Sequence, residues 1–162
     1  MARLEPRERL PRDRPSAVCR PPTGRRTLTG VWSQRSVIDY ALARRSTLES
    51  LRRGATTTTD VCDADPYLLR AAKFHGEPTD TPCPICRKPL TTLNYTFGDV
   101  LGQYSGRIKA TRELEPMARE HEEFRVYVVE VCCTCSWNHL RRSYVLGDGV
   151  PRGRARRRAA EE

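Results

Sequence analysis

The chain has 162 residues, with 29 Lys and Arg against 20 Asp and Glu, a net charge of +9, and 38% hydrophobic residues. That length suits one domain, and no apolar run approaches the roughly 20 residues that a membrane-spanning helix needs. The basic amino terminus lacks the apolar segment of a secretory signal, and seven cysteines, an odd number, argue against a full disulfide framework and for a reducing cytoplasm.

Residues 1–30 carry eight Arg and three acids, and residues 148–162 carry five Arg and three acids, which leaves +2 for residues 31–147. Neither end has an apolar period, so neither buries enough surface to offset the entropy of ordering it. Both are expected to be disordered Arg-rich tails around a single foldable domain at 31–147. The plain reading of 26 Arg against three Lys is a pair of solvated tails in GC-rich coding. The alternative is a tether for nucleic acid or another polyanion.

In chain order, Ser36–Arg53 reads as an amphipathic helix. Val37, Ala41, Leu48 and Leu51 form a stripe widened by Ile38 and Leu42, Ser36 and Asp39 suggest a capping box, and Gly54 supplies the stop. Thr56–Thr59 reads as a linker. A second helix is expected over Pro66–His75, capped by Asp65 and ended by Gly76. Pro78 to Pro82 is extended. Leu90–Phe97 reads as a strand, Gly98-Asp99 as a turn and Val100–Tyr104 as a second, short strand. Glu113–Glu123 is a short helix or a solvated connection. Phe124–Val131 alternates apolar and polar residues and reads as a strand, followed by another over Trp137–Leu146.

The chemistry lies between these elements. Cys83-Pro84-Ile85-Cys86 and Cys132-Cys133-Thr134-Cys135 each offer two thiols from one tight turn. Two such pairs supply the four soft ligands of a closed tetrahedral Zn²⁺ site, in which no position is left for water. The expected ligands are Cys83, Cys86, Cys132 and Cys135, with Cys133 pointing away, and the ion structural. The 45 residues between Cys86 and Cys132 exceed a minimal zinc ribbon, and an inserted hairpin and helix account for them. Iron takes the same ligands, with zinc the default. A redox reading of Cys83–Cys86 needs a helix after the pair, which Pro89 and the β-rich run oppose. Cys19 falls in a tail, and Cys62 reads as a packed small residue.

His75, His121 and His139 stand apart from one another, in the roles of helix-end cation, surface residue and packing residue. There is no phosphate loop, nucleophile elbow or His-Glu-x-x-His motif, so a non-enzyme is expected. Core packing accounts for most of Trp32, Trp137, Tyr40, Tyr95, Tyr104, Tyr127 and Tyr144, and base stacking is the alternative for those that face outward.

The segments VIDYALARRSTLESLRRG, DVCDADPYLLRAAKFHGEPTDTPCPICRKPL, FGDVLGQYSGR and EEFRVYVVEVCCTCSWNHLRRSYVLG resemble a family of small actinobacterial proteins filed as a domain of unknown function, over about Val31–Gly147. Cys83, Cys86, Cys132 and Cys135 match that family's paired cysteines, and the position of Cys133 is not fixed as Cys. The resemblance implies a cytosolic actinobacterial protein and brings no catalytic residue. Because it begins abruptly at Val31, and GUG encodes valine, translation is expected to start there, with residues 1–30 an over-extended reading. Native peptides from residues 3–26 would end that idea.

The expected fold is α+β, with N-terminal helices packed on a small antiparallel zinc-ribbon-like sheet. The expected function is that of a non-catalytic structural-zinc module docking on a protein or ribonucleoprotein machine of the RNA polymerase or ribosome type. Arg44, Arg45, Arg141 and Arg142 are its candidate contacts for an acidic partner. The alternatives are direct nucleic-acid binding through the basic tails, and a thiol redox or zinc-responsive switch using Cys133.

Overall fold

The computed structural model describes residues 33–150, so the expected tail at 1–30, the tail at 148–162 beyond Val150, Cys19, Trp32 and the start at Val31 lie outside the described residues. The elements run β1 (Arg35–Asp39), α1 (Ala41–Arg52), α2 (Thr58–Val61), α3 (Pro66–His75), β2 (Glu77–Pro82) and β3 (Pro89–Phe97). A 3-10 segment (Asp99–Tyr104), β4 (Arg107–Lys109), α4 (Thr111–Glu120), β5 (Phe124–Val131) and β6 (Asn138–Leu146) follow. All strands join one antiparallel sheet in the order β1-β6-β5-β3-β2, and β4 pairs with β3. The class is α+β, as the sequence pattern implies.

Alternation along the central strands divides the core between two faces. Phe124, Val126 and Val128 of β5 join Tyr144 and Leu146 of β6 under Leu114 and Ala118 of α4 and Leu101 of the 3-10 segment. Leu93 of β3 and Val131 of β5 turn to the other face, against Ala71 and Ala72 of α3. A third cluster closes one end of the sheet, where Leu90, Trp137 and Val61 pack with Leu48 and Leu51 of α1 and with the cysteines.

Three local expectations are corrected, and one left open between helix and connection is decided. Ser36–Asp39 is strand, not helix: Arg35, Ile38 and Asp39 pair with Val145, Ser143 and Arg142 of β6, across an irregularity at Ser36, where φ is +47°. The β-branched Val37 and Ile38 serve an edge strand here, and the Asp39 carboxylate accepts the Ala41 N–H at 2.7 Å as α1 begins. Val37, Ile38 and Leu42 are therefore exposed, and only Leu48 and Leu51 of the expected stripe pack inward. Thr58 and Thr59 belong to α2, which a reciprocal Thr57–Asp60 capping box opens. Val100–Tyr104 is 3-10 rather than strand, and the short strand follows at β4. The Glu113–Glu123 segment is helical to Glu120 with Pro116 inside it, and begins at Thr111, whose N–H and hydroxyl both donate to Glu77 of β2.

Gly76 is required by space, not by backbone conformation. A Cβ there would lie 2.0 Å from Thr91 Cγ2 and 2.3 Å from the Ala72 carbonyl oxygen. Gly76→Ala must part α3 from β3, and is expected to cost roughly 1–3 kcal/mol, read as a lower urea midpoint. A curve superimposable on the parent's would contradict the close approach.

Candidate metal centre

The β2–β3 and β5–β6 connections are the same structure built twice. In the first, the Cys83 N–H donates to the Lys88 carbonyl (2.8 Å) and the Arg87 N–H to the Cys83 carbonyl (3.0 Å). In the second, the Cys132 N–H donates to the Trp137 carbonyl (2.8 Å) and the Ser136 N–H to the Cys132 carbonyl (3.0 Å). Each turn reverses through one left-handed residue, Arg87 at φ +64° and Ser136 at φ +65°. The equivalence sets Cys132 and Cys135 where Cys83 and Cys86 stand. Cys133 takes the place of Pro84 and is exposed.

Antiparallel pairing of β3 with β5, Thr91 opposite Val131, brings both turns to one end of the sheet. The sulfurs of Cys83, Cys86, Cys132 and Cys135 lie within 4.8 Å of one another. Cys83 and Cys135 are separated by 3.6 Å at sulfur, and Cys86 and Cys132 by 3.5 Å. Metal–sulfur bonds of about 2.3 Å in a tetrahedron place sulfurs about 3.8 Å apart, whereas a disulfide would hold them at about 2.05 Å. The four cysteines are free thiols, and their spacing fits a shared metal ion. Cys83 and Cys132 are fully buried.

The thiols are electrostatically unequal. Burial pushes Cys83 and Cys135 up. Burial acts against Cys132 too, but the N–H groups of Cys135 and Thr134 and the Cys86 thiol outweigh it and bring Cys132 down to about 7. Without a cation Cys132 therefore gives up its proton ahead of Cys83 and Cys135. Cys62 packs against this cluster from the end of α2. Burial raises its thiol, partly offset by a hydrogen bond with Cys135. It is packed, as its position before α3 suggests, but its neighbour is one of the four clustered thiols, which only the tertiary fold reveals.

A buried polar unit braces the centre, and nothing in the sequence marks it. Glu130 of β5 is 2% exposed. Its Oε1 accepts from Arg44 Nε of α1 at 2.6 Å and from Trp137 Nε1 at 3.0 Å. Arg44 also lies over the Trp137 ring, 5.8 Å from the centroid, and His139 stacks on Trp137 at 5.9 Å. Arg44 is thus committed to an internal ion pair and is not the free surface contact expected of it. Arg45, Arg141 and Arg142 are exposed. Arg141 sits at a β-bulge, where its carbonyl accepts the Tyr40 N–H (3.0 Å), and Arg142 covers the Tyr144 ring. His121 meets Phe124 edge-on, and His75 lies exposed at the end of α3.

Residues 31–160 match a family described only as of unknown function (DUF5318). The match runs past Gly147 into the arginine-rich end. Over 115 residues the chain is 55% identical to "Uncharacterized protein Mb0050" of Mycobacterium bovis and to "Uncharacterized protein Rv0049" of Mycobacterium tuberculosis. Each alignment covers 70% of this chain and 84% of the relative. No solved structure matches.

Proposed function

We propose that this chain, which belongs to the DUF5318 family of unknown function, is a non-catalytic module whose cysteine end is closed by a structural Zn²⁺ ion, in the manner of a zinc ribbon. The observation that carries this reading is the set of four sulfurs within 4.8 Å, presented by two equivalent turns. Cys83, Cys86, Cys132 and Cys135 would hold the ion. Four thiolates fill a tetrahedral shell, so the ion supplies cross-linking and charge compensation rather than an activated water. Zinc is favoured over iron as the default for such a ligand set.

The module is read as an adaptor or regulator in the cytoplasm, docking on a protein or ribonucleoprotein machine. Closely spaced free thiols suit a reducing compartment, and among the described residues no helix is long and apolar enough to cross a membrane. Exposed Arg45, Arg141 and Arg142 offer charge for an acidic partner surface. Affinity capture from native cytosol, with metal analysis of the same sample, tests both halves: a sample without transition metal removes the first, and capture of nothing removes the second. A second reading, a thiol switch, draws on the exposed Cys133 and on Cys62 beside Cys135. It requires a peroxide-class oxidant to take two electrons and two protons from a thiol pair, releasing the ion reversibly.

Acid should release the metal. The depressed Cys132 thiol ionises near 7, so its contribution to the metal-free fold is present above the ordinary thiol range and lost as pH falls through 7. The raised Cys83 and Cys135 thiols keep their protons until a cation displaces them. Binding below pH 7 must then expel about three protons, one from each of these thiols, and affinity is expected to rise up to about a thousandfold per pH unit. Zinc competition titrations at pH 6 and 7 check this, and equal affinities would refute it.

A further inference from the structure

On the sheet face that α3 covers, the cover stops short. Tyr95 of β3 lies opposite Tyr127 of β5, and Phe97 lies opposite Arg125, which places all four side chains on that face. The Phe97 and Tyr127 rings meet edge to face, with centroids 5.5 Å apart. Phe97 is 44% exposed, and Tyr95, Tyr127 and Arg125 are half-buried. Tyr95 also forms part of a groove of about 620 Å³ between α3 and β4, whose α3 wall includes Tyr67, Arg70 and Phe74. Tyr67 and Phe74 are 71% and 70% exposed, far more than aromatic rings on a helix that serves only the core. Among the described residues, none that lines this groove is acidic, and neither Arg70 nor Arg125 has a carboxylate partner.

Aromatic rings in a row, set among unpaired guanidinium groups, are what unpaired bases on a phosphate backbone require: a face to stack on and a charge to neutralise. A duplex hides its base faces and cannot use the rings. An acidic peptide would use the arginines and leave most of the exposed ring area unfilled. We propose that this aromatic strip, from Tyr67 through Tyr95 and Tyr127 to Phe97, with Arg70 and Arg125 beside it, binds single-stranded nucleic acid by base stacking. The proposal goes beyond the metal reading and does not rest on it, because none of these residues touches the cysteine cluster. It also differs from tethering by the arginine-rich ends, which offers charge without a stacking surface.

The test uses the full, metal-loaded chain and fluorescein-labelled dodecamers of uridine and of deoxythymidine, read by anisotropy. Binding is expected at low salt, weakening as salt rises. Tyr67→Ala and Phe97→Ala should each weaken it roughly 5- to 150-fold, Tyr67→Trp should restore it, and Arg70→Glu with Arg125→Glu should flatten the salt dependence. Metal content measured on each variant separates loss of the centre from loss of the stacking surface. No binding to either oligomer at low salt overturns the proposal. So does salt-sensitive binding that ignores both alanine substitutions, which would assign it to the arginine-rich ends. Binding of a polyglutamate peptide where both oligomers fail overturns it in favour of an acidic protein segment.

Discussion

Cys83→Ser, Cys86→Ser, Cys132→Ser and Cys135→Ser are each expected to strip the protein of bound metal and to lower its thermal midpoint further than any other single substitution. The reason is local. The cluster around the cysteines contains only Val61, Leu90 and Trp137 as buried apolar anchors, and two short turns must meet there without backbone pairing between them. Structural zinc contributes about 10–16 kcal/mol of apparent binding free energy in small domains, as much as the total stability of an ordinary one, about 5–15 kcal/mol. The two other clusters lie on the sheet faces and include none of these four cysteines, so residual sheet structure should outlast the loss of the cysteine end. Cys133→Ser, at an exposed position, should leave metal content and midpoint unchanged. Cys62→Ser should retain the metal, since Cys62 contacts the set without completing it. Metal analysis and thermal denaturation of reduced protein decide the matter. A parent protein without metal, or a quadruple serine variant that melts with the parent, would sink the metal centre.

Arg44→Ala is expected to be the most damaging change outside the cysteines. Glu130 is buried and accepts from Arg44 and Trp137 through a single oxygen. Removing the guanidinium leaves a carboxylate in the interior with only an indole N–H to answer it. Breaking one side of such a pair typically costs about 3–5 kcal/mol. Replacing both partners with apolar residues should recover much of that loss, because desolvating the two charges offsets most of their attraction. The measurement is a double-mutant cycle in urea, with Arg44→Leu, Glu130→Leu and the pair together. Additive losses would show that the two side chains do not act as a unit. The pair fixes α1 to the sheet beside the second cysteine turn, so Arg44→Ala should also loosen metal retention at low pH.

What the sequence discloses divides by the range of the interaction. The cysteine pairs, the strand over Phe124–Val131 and the helix over Pro66–His75 are legible because spacing, alternation and caps are local signals. Ser36–Asp39 is misread because its helical stripe is as good as its strand character, and the vacant edge of β6 decides between them. The Glu130–Arg44 pair is invisible for the same reason: 86 residues separate its partners, and a glutamate in a strand ordinarily marks a solvent face. Cys62 illustrates the limit from the other side, since no spacing relates it to Cys135. The open aromatic strip needs both the β3–β5 register and the reach of α3 before it exists as a surface.

Strand β1 has one more effect, through its position at the end of the sheet order. Arg35 lies opposite Val145, and Leu146 lies opposite Phe124 at the start of β5. The chain therefore enters and leaves at the pole remote from Cys132. The segments that carry thirteen arginines, eight in residues 1–30 and five in residues 148–162, join the described chain at that pole, while the four clustered cysteines lie at the other. A reporter joined directly before Arg35 or after Val150 would consequently start a full strand length from the cysteines.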